Sequence, residues 1–116
     1  MESIDWQHLL FRFDGRINRA KFWIGVVVLW VVELVVLLIL RSAGIGFALL
    51  SFLILVVIIW PALAIQVKRW HDRGKSGWFV LVALIPFVGW LWVLIECGFL
   101  EGDPGENQYG PNPLAA

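Results

Sequence analysis

The sequence predicts an all-α membrane protein: three transmembrane helices, a short interfacial helix before them and an irregular tail after them. Three observations carry this. First, 60% of the 116 residues are hydrophobic and 16% charged, against roughly 45–50% and about 25% in soluble domains. Second, the charges are bunched: Ser42 to Val67 and Ser76 to Ile95 hold none, and Phe22 to Leu40 holds only Glu33. Third, each run is long enough to cross ~30 Å of hydrocarbon as a helix. The chain reads as one integral membrane domain, 1–116, with spans at 22–40, 45–67 and 77–99 and a tail at 101–116.

Before the first span, Trp6, Leu9, Leu10 and Phe13 recur at helical spacing with Asp5, His8 and Arg12 opposite. That pattern predicts a short amphipathic helix over 4–14, capped by Ser3 and stopped by Gly15. It either lies in the headgroup layer or packs on the bundle. Asn18 can cap the next helix, which opens on Arg19, Lys21, Phe22 and Trp23, a basic and aromatic set suited to an interface. Acids accompany the bases in the leading segment and more apolar runs follow, so the first run reads as a retained anchor rather than a cleaved signal. In the third run, Pro86 and Gly89 could break the helix into a re-entrant pair. Each half would be about nine residues, too short to cross alone, which favours a continuous span. Gly102 to Pro113 holds three Gly and three Pro, so the tail is irregular, with a type II turn expected at Asp103-Pro104-Gly105-Glu106.

Of nine Lys and Arg, four (Arg12, Arg16, Arg19, Lys21) precede the first span and four (Lys68, Arg69, Arg73, Lys75) lie between the second and third; only Arg41 stands apart. The positive-inside rule then places the N-terminus and the Lys68–Lys75 loop in the cytoplasm. A continuous third span places the tail outside. Zero net charge implies no bulk attraction to nucleic acid. The single cysteine, Cys97, excludes an intramolecular disulfide and reads as a small membrane-facing residue.

Glu33 lies about 16 Å beyond Phe22 at the helical rise, where an ionised carboxylate is costly. Pro61 removes the usual donor to the Val57 carbonyl at similar depth, so a protonated Glu33 donating to Val57 is one reading. A proton relay, or self-pairing across an oligomer, is the other. By the same ruler Glu96 and Arg41 fall at one depth near the outer interface, which leaves a contact between them open.

Gly15-Arg16-Ile17-Asn18-Arg19 with Phe22-Trp23, Lys68 to Trp78, Ile85-Pro86 with Gly89, and Gly102, Gly105, Asn107, Tyr109-Gly110 and Pro113 together resemble one bacterial family. The chain is similar to the domain of unknown function 805 family, the YhaH-like inner-membrane proteins, from about Gly15 to Pro113. The stretch Arg69 to Trp78 is the most specific part. The resemblance implies a bacterial inner-membrane location and brings no activity with it.

Gly74-Lys75-Ser76 is not a phosphate loop, because position 69 is Arg where that motif requires Gly. His71 and Asp72 have no second Cys and only His8 as a further His, too few ligands for structural zinc, so no metal or cofactor is expected. Two readings of Lys68 to Trp78 remain. In one, Asp72 pairs an Arg while Gly74, Ser76 and Gly77 shape a tight loop ending at Trp78. In the other, Arg16, Arg19, Arg69, His71, Asp72, Arg73 and Lys75 form a site for a headgroup or partner, with guanidinium forks gripping phosphate and Trp23, Trp70 and Trp78 setting depth. The expected function is therefore non-enzymatic: binding of anionic phospholipid, or of another inner-membrane protein, through Arg-rich cytoplasmic loops. The alternatives are a homo-oligomeric transporter or channel using Glu33, and a lipid-headgroup enzyme using His71 and Asp72. Gly15, Pro86, Gly89, Asn107, Tyr109, Gly110 and Pro113 are expected to shape turns and tail.

Overall fold

The computed structural model describes residues 4–114. In chain order it contains α1 (Trp6–Phe11), α2 (Arg19–Ser42), α3 (Phe47–Asp72), a 3-10 helix (Gly77–Leu84) and α4 (Val88–Gly98). Helix α1 is shorter than its hydrophobic pattern, and its cap is Asp5, whose carboxylate accepts from the His8 backbone N–H at 3.1 Å. Ser3, the expected cap, lies outside the described residues. Leu9 is buried, the Trp60 indole donates to the Phe11 carbonyl at 2.8 Å, and the Phe13 ring sits 4.9 Å from that of Trp60. Of the two readings, α1 follows the one in which it packs on the bundle, although Trp6 and Phe11 stay exposed.

Asn18 caps α2 as its side chain predicts, accepting from the Lys21 N–H at 2.8 Å. A short turn, with Gly44 at φ 83°, sends α3 back beside α2. The two helices approach closely where Gly25 meets Ile65: a Cβ on Gly25 would stand 2.6 Å from the Ile65 Cδ1. Helix α3 continues through Pro61. In the most apolar stretch of α2 only 6% of residues are buried, and in that of α3 28%. These are not the wrapped core helices of a soluble protein; both are long and apolar enough to cross a membrane.

The third apolar run corrects the expectation of a continuous span over 77–99. Pro86 removes an N–H that a continuing helix would need, and Phe87 turns with φ 60° and ψ −62°. The Val88 N–H reaches the Pro86 carbonyl at 2.7 Å, closing a three-residue γ-turn, a rare and strained geometry for a side-chain-bearing residue. Gly89 lets the second limb start against the first, since a Cβ there would overlap the Val82 carbonyl oxygen. The turn satisfies most of its own backbone. Val82, Ile85, Pro86 and Phe87 carbonyls accept from Ile85, Gly89, Val88 and Leu91, and Ala83 accepts from the Trp90 indole at 2.9 Å.

The 3-10 limb rises about 16 Å and α4 about 16 Å, each roughly half of ~30 Å of hydrocarbon. The two halves are indeed too short to cross, but a hairpin that turns back has no need to. The tail therefore lies at the same end of the molecule as the N-terminal segment, not the opposite one. The proposed Arg41–Glu96 contact fails for the same reason: Glu96 is carried back to Lys75 and Arg73. The buried core, Leu9, Ile17, Phe22, Leu29, Ile65, Trp70 and Cys97, sits toward that end as well. Cys97 is thus interior rather than membrane-facing.

Candidate functional site: a polar cap at the basic end

Helix α3 ends in Lys68, Arg69 and Asp72, and all three are buried. The Lys68 ammonium is aimed at the end of α1, bonded to the carbonyls of His8, Leu9 (2.8 Å) and Arg12 (2.6 Å). The last carbonyls of a helix have no partner within it and carry partial negative charge, so a cation there answers both needs. Arg69 does the same for α4. Its Nε donates to the Cys97 carbonyl at 2.6 Å, and its Nη2 reaches Leu100. The Gly98 carbonyl accepts from the Trp23 indole at 2.8 Å, Phe99 from Arg19 at 2.7 Å, and Glu101 from Arg73. Every carbonyl from Cys97 to Glu101 is thus held by a side chain from another part of the chain.

Asp72 stands at the centre. One carboxylate oxygen accepts from Arg16 Nε at 2.9 Å and the other from Arg69 Nη1. Arg16 continues into the tail, donating to the Gly105 (2.7 Å), Gly110 (3.1 Å) and Asp103 (2.7 Å) carbonyls, with a long contact of 3.4 Å to the Asp72 carbonyl. A guanidinium has five N–H donors, and these contacts occupy all of them. The Gly105 carbonyl serves Arg16 with Gly105 outside the positive-φ region, so the expected type II turn does not form. Gly102 allows the tail to cross here, since any Cβ would overlap the Asp72 carboxylate.

His71 stacks on Tyr109, ring centroids 3.8 Å apart and planes 4° from parallel, with its Nδ1 3.0 Å from the Gly15 carbonyl. Asn107 donates to the His71 carbonyl and to Asp103, both at 2.9 Å, and accepts from the Tyr109 N–H. Gly15, Gly74 and Gly110 take positive φ, and the Ser76 hydroxyl accepts from the Trp78 N–H at 3.3 Å to start the 3-10 helix.

The structure thus brings Arg16, Arg69, His71, Asp72 and Arg73 together, but around the protein's own carbonyls and carboxylates. Arg16 and Arg69 are closed inside, and Trp70, expected at headgroup depth, is fully buried. His71 and Asp72 point to different partners and form no acid–base pair. Among the described residues no three His, Cys, Asp or Glu gather as metal ligands. Sequence reasoning missed the interior roles of Lys68, Glu96 and Trp23. The available signal was the position of Lys68 and Arg69 directly after an apolar run, where a long side chain can turn back toward helix ends.

The family model described as "Protein of unknown function (DUF805)" matches residues 10–111. The chain belongs to the DUF805 family. Inner membrane protein YhaH of Escherichia coli K12 is 36% identical over 105 residues, covering 87% of this chain and 86% of that protein. Inner membrane protein YhaI of the same strain is 35% identical over 101 residues, covering 87% and 85%. The uncharacterized protein YiiR, also from K12, is 36% identical over 129 residues, covering 90% and 87%. No solved structure matches the chain. The DUF805 match takes in α2, α3, the hairpin and the tail through Gly110, so the polar cap lies almost wholly within it.

Proposed function

We propose that this DUF805 protein is a small non-enzymatic inner-membrane protein whose polar cap faces the cytoplasm and meets anionic phospholipid headgroups through its rim. The observation that carries this reading is the division of the eight bases at one end. Arg16, Lys68 and Arg69 are buried within the cap, Arg19, Lys21, Arg73 and Lys75 are only partly buried around it, and Arg12 is exposed and paired with Asp14. Trp78, 77% exposed, lies beside them at the start of the hairpin, an anchor suited to an interface. Two crossings and a re-entrant hairpin return both termini to the basic side, and the positive-inside rule makes that side cytoplasmic. Rim attraction is general, about 1 kcal/mol per basic residue near an anionic surface. Arg73 and Lys75 already share Glu96, so Arg19 and Lys21 carry most of it.

Two measurements test this. A fluorescent-protein fusion after Leu114 should fluoresce and a phosphatase fusion there stay inactive; the reverse overturns the orientation. In purified protein, Arg19→Ala with Lys21→Ala should lower the retention of phosphatidylglycerol over phosphatidylethanolamine by severalfold, and Arg41→Ala should not. Equal retention of the two lipids by the intact protein would sink the headgroup reading and leave a protein partner for the rim.

A further inference from the structure

Below the polar cap, α2 and α3 part to leave a cavity of about 170 Å³. Phe22, Trp30, Ile58 and Ala62 form its walls, and its polar groups are Glu33 and Gln66. It is open on one side: Trp30 is 61% exposed and Glu33 is exposed too, on a face that lipid would cover. The Gln66 Oε1 atom is buried and accepts no hydrogen bond among the described residues. Glu33 forms no ion pair among them. It also lines a narrower crevice with Val57, but the expected hydrogen bond from Glu33 to the Val57 carbonyl is not among those formed by the described residues.

Antiparallel packing relates these two groups. Gly25 abuts Ile65, so Gln66 lies at the cap end of the cavity and Glu33 about 12 Å further from the cap by helical rise. A helical side chain leans toward the N-terminus of its own helix. In α2 that direction carries Glu33 toward the cap end, and in α3 it carries Gln66 toward Glu33. Both side chains therefore lean into one mostly apolar cavity, and among the described residues neither the Glu33 carboxylate nor the Gln66 Oε1 accepts a hydrogen bond. A cavity of about 150 Å³ lined by apolar side chains holds benzene, which sets the size of the body that fits here.

We propose that this cavity is a binding site for a small lipophilic amine that enters sideways from the bilayer, its N–H groups donating to Glu33 and Gln66 and its apolar body lying against Phe22, Trp30 and Ala62. As an ammonium it donates N–H···O to the carboxylate, neutralises it and faces the Trp30 and Phe22 rings; as a neutral amine beside the protonated acid it accepts O–H···N from Glu33 and keeps an N–H for Gln66. A neutral hydroxyl brings one donor and no charge. The site is independent of the headgroup rim.

The full chain in nanodiscs of neutral phosphatidylcholine, titrated with 4-fluorobenzylamine and followed by fluorine NMR, tests the proposal, with 4-fluorobenzyl alcohol and 4-fluorotoluene as comparisons. The amine should bind saturably and at least tenfold more tightly than the alcohol, above the partitioning seen in empty nanodiscs. Glu33→Gln should erase the preference for amine over alcohol, and Gln66→Leu should weaken the amine several-fold. Ala62→Leu, which fills the cavity and leaves both polar groups in place, should weaken all three probes. Amine uptake equal to that of empty nanodiscs, or no preference over the alcohol in the unaltered chain, overturns the proposal without any variant. Saturable binding that survives both Glu33→Gln and Ala62→Leu places the amine elsewhere and overturns it as well.

Discussion

At the basic end, the start of α2 and the end of α3 are tied to α1, α4 and the tail by Arg16, Arg19, Trp23, Lys68 and Arg69. At the far end the same two helices are joined by the turn through Gly44 and by apolar packing around the buried Leu50 and Ile54, and the side-chain hydrogen bond there among the described residues is local, from the Ser42 hydroxyl to the Leu38 carbonyl at 2.7 Å. Arg41 and Phe47 are exposed. The difference follows from the solvent. Lipid tails are as apolar as Leu and Val, so burying those residues between helices gains little. What selects one arrangement of short apolar elements is the polar chemistry at their ends, where each unpaired carbonyl or charge is costly.

The largest break in this contrast comes from Asp72→Ala. It leaves the buried Arg16 and Arg69 guanidiniums without their shared anion, a loss of about 3–5 kcal/mol where one partner of a buried ion pair is removed. The expected result is a collapse in the yield of monodisperse protein in detergent and a much lower thermal midpoint. An unchanged midpoint would show that the cap is not what holds the elements together.

Lys68→Met should act more locally. The side-chain length remains, but the three carbonyls at the end of α1 lose their donor, and a hydrogen bond to a charged group contributes roughly 1.5–3 kcal/mol. Faster amide exchange and protease cutting confined to residues 6–13, with α2 and α3 still protected, would sharpen the contrast. Uniform loosening of the whole chain would argue against it.

The smallest effects should come from charges outside the cap. Arg41→Ala at the far end and Asp14→Asn beside Arg12 should each move the thermal midpoint very little, surface substitutions being usually within about 0.5 kcal/mol. Arg12 and Asp14 are more than half exposed, and such pairs are worth little. The hydrogen bonds from Arg12 hold the Asp14 carboxyl below the ordinary carboxylate range. Its small contribution is therefore present at neutral pH and fades as pH falls from the ordinary carboxylate range through the lowered value. A midpoint shift from Asp14→Asn as large as that from Lys68→Met would erase the distinction between buried and exposed pairs.

Composition and run length by themselves determined the membrane class, the positions of α2 and α3, the Asn18 cap and the gathering of eight bases on one side. These are local or additive properties: transfer free energy adds along a run, and a cap needs only its own turn. Tertiary structure decided the fate of the third run and of the bases. Pro86 and Gly89 were visible breakers, but a kinked crossing and a hairpin share one apolar pattern. What separates them is whether the carbonyls from Cys97 to Glu101 find donors on the far side or return to Arg69, Trp23, Arg19 and Arg73. Likewise an arginine that grips phosphate and one that grips backbone carbonyls look alike along the chain. The folded tail, crossing at Gly102 and presenting the Asp103, Gly105 and Gly110 carbonyls, takes the donors of Arg16 that Asp72 leaves over, and hydrogen-bond acceptors some ninety residues away leave no trace in local sequence.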